Sequence, residues 1–289
     1  MSLKEKILKD IEKTGFVTEL KTVSMLIKNE WSAEHGTTYE DKDENRNREI
    51  DIVASKVKYV NELGFRLIFY LVIEVKKTDR PWIVFTTRPD FATLGWRIMN
   101  RTSNIYKWEA SDKFENGGHF VPILDVDCIR KNSIREYAFR AGKAFHELEK
   151  SPTDKSKVYE ALICSGKAAY YLSNRFKQEE LKDFDVHKEV NIQIYLPIVV
   201  LDGLLFEVFT NHEGDIDVEE KDFIPVEMSY SSPNYRIGNW DTEFFPDIIR
   251  FDYLSKHLEN IEAWRQSMIE SISKQLVSLG KQPDRRFGI

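Results

Sequence analysis

The spacing of apolar residues along the chain changes several times, and each change predicts a different element. Residues 2–14 carry apolar side chains at helical spacing and are followed by Gly15, which ends the predicted helix. A second helix is predicted from Val17 to Trp31. Residues 34–48 are densely charged and show no period, which is typical of an exposed loop.

Strand patterns follow this predicted loop. Residues 49–60 alternate polar and apolar side chains, and residues 64–77 are rich in β-branched and aromatic residues. The pattern predicts two strands joined by a turn around Asn61–Gly64. Residues 79–132 are irregular, with short strands expected at 81–86 and 119–126.

The second half of the chain returns to helical periods and then to strands. Helices are predicted at 134–149 and 154–177, and the second is lined by small residues suited to close packing, namely Ala161, Ser165, Ala168 and Ala169. Asp202-Gly203 separates two apolar strands and predicts a two-residue hairpin. Further short strands and a terminal helix over 253–279 are expected.

This order of elements predicts an α/β (α+β) fold with a central mixed β-sheet flanked by helices, C-terminal strands and a terminal helix. No linker or repeat divides the chain, so residues 1–289 are expected to form a single domain. Within it we distinguish N-terminal helices at 1–32, a core at 33–202 and a C-terminal extension at 203–289 packed on that core.

Composition restricts the class of protein. Hydrophobic residues make up 42% and charged residues 31% of the chain, as in ordinary globular proteins. Cys128 and Cys164 lack zinc or disulfide spacing, which favours a reducing cytoplasm. The longest apolar run, at 194–201, is far below the ~20 residues that cross a bilayer, so no membrane association is expected. The net charge of −6 argues mildly against unspecific coating of nucleic acid.

Charged residues interrupt the most apolar predicted strand. Glu74 and Lys76 are two positions apart, so they share one face of the strand, and Asp51 follows the same alternation on the preceding strand. Burying such charges is costly unless they are paired or hold a cation. The pattern therefore favours a functional cluster.

Magnesium chemistry fits this cluster. Mg²⁺ prefers hard oxygen ligands from one or two carboxylates, with water and a substrate phosphate completing its octahedron. Asp51 and Glu74 are the predicted carboxylate ligands, and the Val75 carbonyl is a predicted third ligand. Lys76 is expected to hold or activate the attacking water or to stabilise charge developing on phosphorus.

A helical glutamate, a strand aspartate and a following E-x-K resemble the PD-(D/E)XK nuclease superfamily, the restriction-endonuclease-like fold. Here these are Glu19 in GFVTELKTV, Asp51 in REIDIVA, and Glu74 and Lys76 in IEVKK. Ile50 stands where many members have proline. The resemblance covers residues 15–90 by motif and reaches to about 200 by element order. It implies Mg²⁺- or Mn²⁺-dependent hydrolysis of phosphodiester bonds, with Glu19 supporting the metal site.

The resulting hypothesis is a cytoplasmic metal-dependent nuclease, with DNA favoured over RNA and a homodimer left open. Arg48, Lys77 and Arg80 are candidate nucleic-acid contacts, and Glu49 is interpreted as a partner for Arg46 or Arg48. One alternative is an inactive module of the same fold that binds nucleic acid or protein in a defence or repair assembly. Another is an acidic interaction protein with no nucleic-acid role.

Overall fold

The computed structural model describes residues 2–11, 14–88, 99–103, 106–110, 118–122, 140–149, 156–183, 190–235 and 242–278. Within these ranges the helices are α1 (Leu3–Ile11), α2 (Phe16–Lys28), α3 (Lys157–Asp183) and α4 (Leu254–Ser278). The strands are β1 (Ser32–Asp41), β2 (Arg46–Val60), β3 (Phe65–Lys77), β4 (Trp82–Thr87), β5 (Met99–Ser103), β6 (Tyr106–Ala110), β7 (Gly118–Pro122), β8 (Ala141–Glu147), β9 (Val190–Asp202), β10 (Leu205–Thr210), β11 (Ile216–Glu220), β12 (Phe223–Pro225), β13 (Met228–Tyr230), β14 (Thr242–Phe244) and β15 (Asp247–Arg250).

A mixed seven-stranded sheet forms the centre of the fold, in the order β1-β2-β3-β9-β15-β12, with β5 also paired to β9. β1, β2 and β3 form an antiparallel meander, whereas β3 and β9 run parallel. Parallel neighbours need a long crossover, and α3 lies in the chain between them. The predicted mixed sheet with helices is confirmed.

Both faces of the central strands are covered, which explains the near-continuous apolar run of β3. On one face, Phe69 belongs to a cluster with residues of α4 and meets Trp264 edge to face, with ring centroids 4.9 Å apart. On the other face, Val72 of β3 and Tyr195 of β9 pack with Ala168 and Ala169 of α3. The small residues of α3 therefore do allow close packing on the sheet.

A second sheet of four strands, in the order β11-β10-β4-β8, contains the predicted strand at 81–86. Two hairpins, β13-β14 and β6-β7, complete the described strands. The C-terminal part of the chain contributes β12 and β15 to the central sheet, and α4 packs on one face of that sheet.

A buried charge cluster joins α3 to the turn between β1 and β2. Lys167 is only 4% exposed, and its Nζ lies 3.0 Å from Asp41 Oδ1 and 2.9 Å from Asp43 Oδ2. The same ammonium faces the rings of Tyr230 and Tyr235 at 4.9 and 5.0 Å. Two carboxylates and two aromatic faces compensate for the desolvation of this lysine.

The predicted loop at 34–48 is wrong. Ser32–Asp41 and Arg46–Val60 form an antiparallel hairpin in which Asp41 lies opposite Arg46. The turn between them has Asn45 at a φ of 49°, and within β1 Gly36 has a φ of 74°. Pairing with β2 supplies the backbone hydrogen bonds of β1, so a polar sequence without a regular period still forms a strand.

The predicted helix at 134–149 is wrong over its described part. Residues 141–147 form β8, which pairs antiparallel with β4 from Trp82 opposite Glu147 to Thr87 opposite Ala141. Sheet pairing has overridden the helical spacing of the apolar residues. The first part of that prediction, up to residue 139, lies outside the described residues, as does the end of the predicted strand at 119–126.

The predicted hairpin at Asp202-Gly203 is also wrong. β9 pairs with β3 and β15, whereas β10 pairs parallel with β4 and antiparallel with β11. A Cβ at Gly203 would lie 2.7 Å from the Thr78 carbonyl oxygen. The glycine therefore serves a close backbone approach as the chain passes from one sheet to the other.

Candidate active site

The candidate site lies where β2 and β3 stop pairing. Their register runs from Val60 opposite Phe65 to Ile52 opposite Ile73. Beyond that last pair, the Val75 backbone N–H donates a hydrogen bond to Asp51 Oδ2 at 2.7 Å. Asp51 thus replaces a backbone acceptor at the end of the ladder, which fixes its carboxylate beside β3.

Glu74 and Lys76 are brought together at the same end of β3, as the strand alternation predicts. Lys76 Nζ donates to Glu74 Oε1 at 2.5 Å. The Glu74 side chain is 12% exposed and the Lys76 side chain 31% exposed. The pair is therefore mostly buried but still reached by solvent.

The electrostatics show that the carboxylates are held together against repulsion. Burial raises the pKa of Glu74 to about 7, with Lys76 opposing the rise and Asp51 adding to it. Burial also raises the pKa of Asp51, opposed by the Val75 amide and Lys76 and reinforced by Glu19 and Glu49. This cluster carries more negative charge than Lys76 balances, so a cation would stabilise it.

Burial and the neighbouring carboxylates shift the pKa of Lys76 in opposite directions. Burial lowers the pKa of its ammonium, but the charges of Glu74 and Asp51 outweigh burial and raise it overall. Lys76 is therefore a firmly protonated cation beside two carboxylates. In that state it can donate hydrogen bonds and stabilise negative charge.

Glu19 reaches the cluster from α2. Thr18 Oγ1 donates to Asp202 Oδ2 at 2.6 Å, which fixes the first turn of α2 at the end of β9. The neighbouring Glu19 contacts His35 of β1, with Nε2 and Oε2 2.7 Å apart. Glu19 is also close enough to raise the pKa of Asp51. The structure therefore places all four predicted catalytic residues at one end of the central sheet.

The three predicted nucleic-acid contacts differ in their exposure and in how closely carboxylates engage them. Arg48 is engaged by carboxylates, with Nη2 2.6 Å from Glu44 Oε1 and Nε 3.3 Å from Asp41 Oδ2. Lys77 is exposed, with Nζ 3.7 Å from Asp202 Oδ2. Arg80 is exposed just beyond β3. Lys77 and Arg80 thus stay predictions, and Arg48 would have to exchange partners to bind a phosphate.

Sequence reasoning missed two neighbours of the site, namely His35 and Cys164, and it assigned a different partner to a third, Glu49. The expected partner of Arg46 and Arg48 was Glu49, but both arginines pair with Glu44. Glu49 instead contributes negative charge next to Asp51, as its position two residues earlier on the same strand could have indicated. Cys164 Sγ lies 3.4 Å from Arg48 Nη1. The local sequence around either residue does not indicate this contact.

The donor set suits a hard cation. Carboxylate and carbonyl oxygens are what Mg²⁺ and Mn²⁺ prefer, and a Mg²⁺ site uses one or two carboxylates rather than a complete protein cage. In the described part of the chain, no group of three or more His, Cys, Asp or Glu side chains is arranged to hold a metal ion. The predicted set of Asp51, Glu74 and the Val75 carbonyl contains two side-chain ligands, fewer than the three of such a group.

A cavity of about 1380 Å³ lies apart from this cluster, between the second sheet and α4. Its lining includes Arg140, Glu207, Phe209 and Lys221, but none of the four predicted catalytic residues. Arg140 forms two hydrogen bonds to Glu207, at 2.7 and 2.9 Å, and Lys221 lies 3.5 Å from the same carboxylate. Arg140 and Lys221 therefore share the Glu207 carboxylate within the cavity.

No protein-family model, curated protein or solved structure matches this chain. None of the helices in the described ranges combines the length and apolar composition needed to span a bilayer. Any functional proposal therefore depends on the geometry and charge of the site itself.

Proposed function

We propose that this protein is a metal-dependent nuclease that hydrolyses phosphodiester bonds of nucleic acid, with DNA as the favoured substrate. One observation carries the proposal: Asp51, Glu74 and Lys76 converge, partly buried, where β2 and β3 separate. Such a concentration of partly buried charge costs folding stability. Groups of this kind cluster at functional sites, where their chemistry is needed.

The order of elements supports the same proposal. α2 carries Glu19, β2 carries Asp51 and β3 carries Glu74 and Lys76, and α3 then leads to β9, parallel to β3. This succession agrees with the resemblance to the restriction-endonuclease-like fold that the sequence motifs suggest. The finer assignment to that fold remains part of the proposal.

In the proposed reaction, Asp51, Glu74 and the Val75 carbonyl would hold a Mg²⁺ or Mn²⁺ ion. When bound, this ion supplies Lewis-acid stabilisation of charge on the phosphate. Lys76 contributes a fixed cation that orients the attacking water and stabilises the charge that develops on phosphorus. Glu19 supports the site from α2. Water attacks phosphorus in line, the P–O bond to the leaving oxygen breaks, the proton of the water passes to solvent, and no covalent intermediate with the protein forms.

Metal binding is the first experimental test. Isothermal titration calorimetry with Mg²⁺ and with Mn²⁺ should show binding to the wild type. Asp51→Ala and Glu74→Ala should each weaken it at least about tenfold, as expected for loss of a ligand. Asp217→Ala, which removes an exposed carboxylate from β11, serves as the matched control and should bind as the wild type does. A wild type that binds neither ion, even with nucleic acid present, would refute the proposal.

Cleavage assays separate the proposal from its main alternative. Supercoiled plasmid, linear duplex DNA and single-stranded RNA are incubated with Mg²⁺, with Mn²⁺ or with EDTA. A nuclease cleaves at least one substrate in a metal-dependent manner. An inactive module of the same fold would instead bind nucleic acid equally well in EDTA and leave every substrate intact.

A further inference from the structure

His35 contacts the site through Glu19. It lies on β1, opposite Ile52 of β2, and its Nε2 is 2.7 Å from Glu19 Oε2. An ionised carboxylate can only accept hydrogen bonds, so Nε2 is the nitrogen that carries hydrogen. The contact joins α2 to β1 across 16 residues of sequence.

Helix anchoring does not account for this contact. α2 is already held by Leu26, which is fully buried in the core, and by the Thr18–Asp202 hydrogen bond. The His35 side chain is 38% exposed, and a polar contact so open to solvent stabilises a fold by only about 0–1 kcal/mol. The main effect of the contact is therefore on where the Glu19 carboxylate lies.

The backbone of β1 changes direction beside this contact. Gly36, directly after His35, has a φ of 74°, a left-handed conformation that favours glycine. A Cβ at this position would lie 3.2 Å from Glu49 Oε1. His35 and Gly36 thus form the part of β1 that borders the acidic cluster, with His35 on Glu19 and Gly36 next to Glu49.

We infer that His35 is a positioning residue of the proposed nuclease site, acting through Glu19. Its Nε2–H fixes one carboxylate oxygen of Glu19 at the point of β1 that lies opposite Ile52, the neighbour of Asp51. Groups that orient a carboxylate in a metal site commonly change metal affinity or activity 10- to 100-fold when they are removed. This role rests on the proposed function, because it requires a metal site to organise.

The test compares metal dependence with folding in the full-length chain. His35→Ala should weaken Mn²⁺ binding about tenfold in calorimetry and raise by the same factor the Mg²⁺ concentration for half-maximal cleavage. Its melting temperature in EDTA should match that of the wild type. His35→Gln, whose side-chain amide can still donate to Glu19, should recover most of the loss. His146→Ala removes an exposed histidine of β8 and should change none of these quantities.

A double-mutant cycle shows whether His35 acts through Glu19. In a Glu19→Gln background, His35→Ala should cause no further loss of metal affinity. An equal tenfold loss in that background, or wild-type metal dependence of His35→Ala alone, would overturn the role of His35 and leave the nuclease proposal intact. Absence of metal binding in the wild type would overturn both.

Discussion

At the scale of single residues, burial raises the pKa of Glu74 and lowers that of Lys76. The pKa of each group nevertheless ends above its ordinary value, because neighbouring carboxylates outweigh burial at Lys76. Burial favours the neutral acid of Glu74, whereas the carboxylates around Lys76 favour its charged ammonium. A lysine that stays protonated beside a phosphate suits stabilisation of charge better than removal of a proton from water. The geometry therefore favours an electrostatic role for Lys76.

Lys76→Ala should abolish cleavage and leave the fold in place. The ammonium donates to the predicted ligand Glu74, and alanine offers no donor for the developing charge. Cleavage rate and circular dichroism are the measurements. Lys58→Ala, an exposed lysine at the far end of β2, is the control. Retention of cleavage by Lys76→Ala would remove Lys76 from the mechanism.

Glu74→Gln should alter the pH dependence of stability in EDTA. The pKa of Glu74 is raised to about 7 in the folded chain, against an ordinary value near 4.3. Between these values the folded state holds a proton that the unfolded state has released, so wild-type stability falls as pH rises. Glutamine does not titrate, so above pH 7 the free energy of unfolding of the variant should exceed that of the wild type by on the order of 1–3 kcal/mol.

Urea unfolding at a series of pH values measures this difference. Glu34→Gln changes an exposed glutamate of β1 and should follow the wild-type curve. If plots of the free energy of unfolding against pH run parallel for Glu74→Gln and the wild type, Glu74 has its ordinary pKa in the folded chain.

Single residues also show where sequence reasoning ends. Asp51, Glu74 and Lys76 could be identified because strand alternation places them on one face and their apolar neighbours make the charges conspicuous. His35 could not, because it stands in a polar stretch and touches Glu19 only through the packing of α2 against β1. Contacts between elements leave no local signal in the chain.

At the scale of elements, α3 is shaped by its small residues. A Cβ at Gly166 would lie 2.6 Å from Cγ of Phe244, in the hairpin that packs on this helix. Glycine therefore brings the hairpin closer to α3 than any other residue would allow.

Gly166→Ala should destabilise the protein even though alanine is the better helix former. Helix propensity favours alanine by about 1 kcal/mol, whereas overpacking a core costs about 1–3 kcal/mol. The difference between these two terms is a net loss of up to about 2 kcal/mol, which urea unfolding measures. Combining it with Phe244→Leu should recover part of the loss by making room. A more stable Gly166→Ala variant would show that the hairpin can move away without cost.

The elements that were predicted correctly have strong local patterns. β2, β3 and the turn between them follow from alternation and a glycine, and α4 follows from its helical apolar stripe. β1 and β8 were predicted wrongly because strand pairing with β2 and β4 decides their conformation. Local preference is weakest where a strand depends on its neighbour for stability.

At the scale of the whole molecule, Lys167 links three parts that are far apart in sequence. It joins α3 to the turn after β1 and to the aromatic segment around Tyr230 and Tyr235. Hydrogen bonds from Ser232 and Asn234 to Asp43 close the same cluster. This cluster holds the β1–β2 hairpin, and with it Asp51, against α3.

Lys167→Met should destabilise the fold by about 1.5–3 kcal/mol, because the buried Asp41 loses its hydrogen bonds from the Lys167 ammonium and keeps Arg48 as its cation. Thermal and urea unfolding measure the loss. Lys42→Met alters an exposed lysine of the same turn and should be nearly neutral. A loss below 1 kcal/mol for Lys167→Met would indicate that water or another cation takes over.

The parallel pair at the centre of the sheet also determines when this protein can fold. Each residue of β3 pairs with a partner about 125 positions later, from Phe65 with Val190 to Lys77 with Asp202. At about 5–20 residues per second, a ribosome needs roughly 6 to 25 seconds to pass from Glu74 to the end of β9. Throughout that interval the most apolar strand of the nascent chain has an open edge, the state in which strands pair with wrong partners. The pairing of β3 with β9 can therefore be completed only after Asp202 has left the exit tunnel.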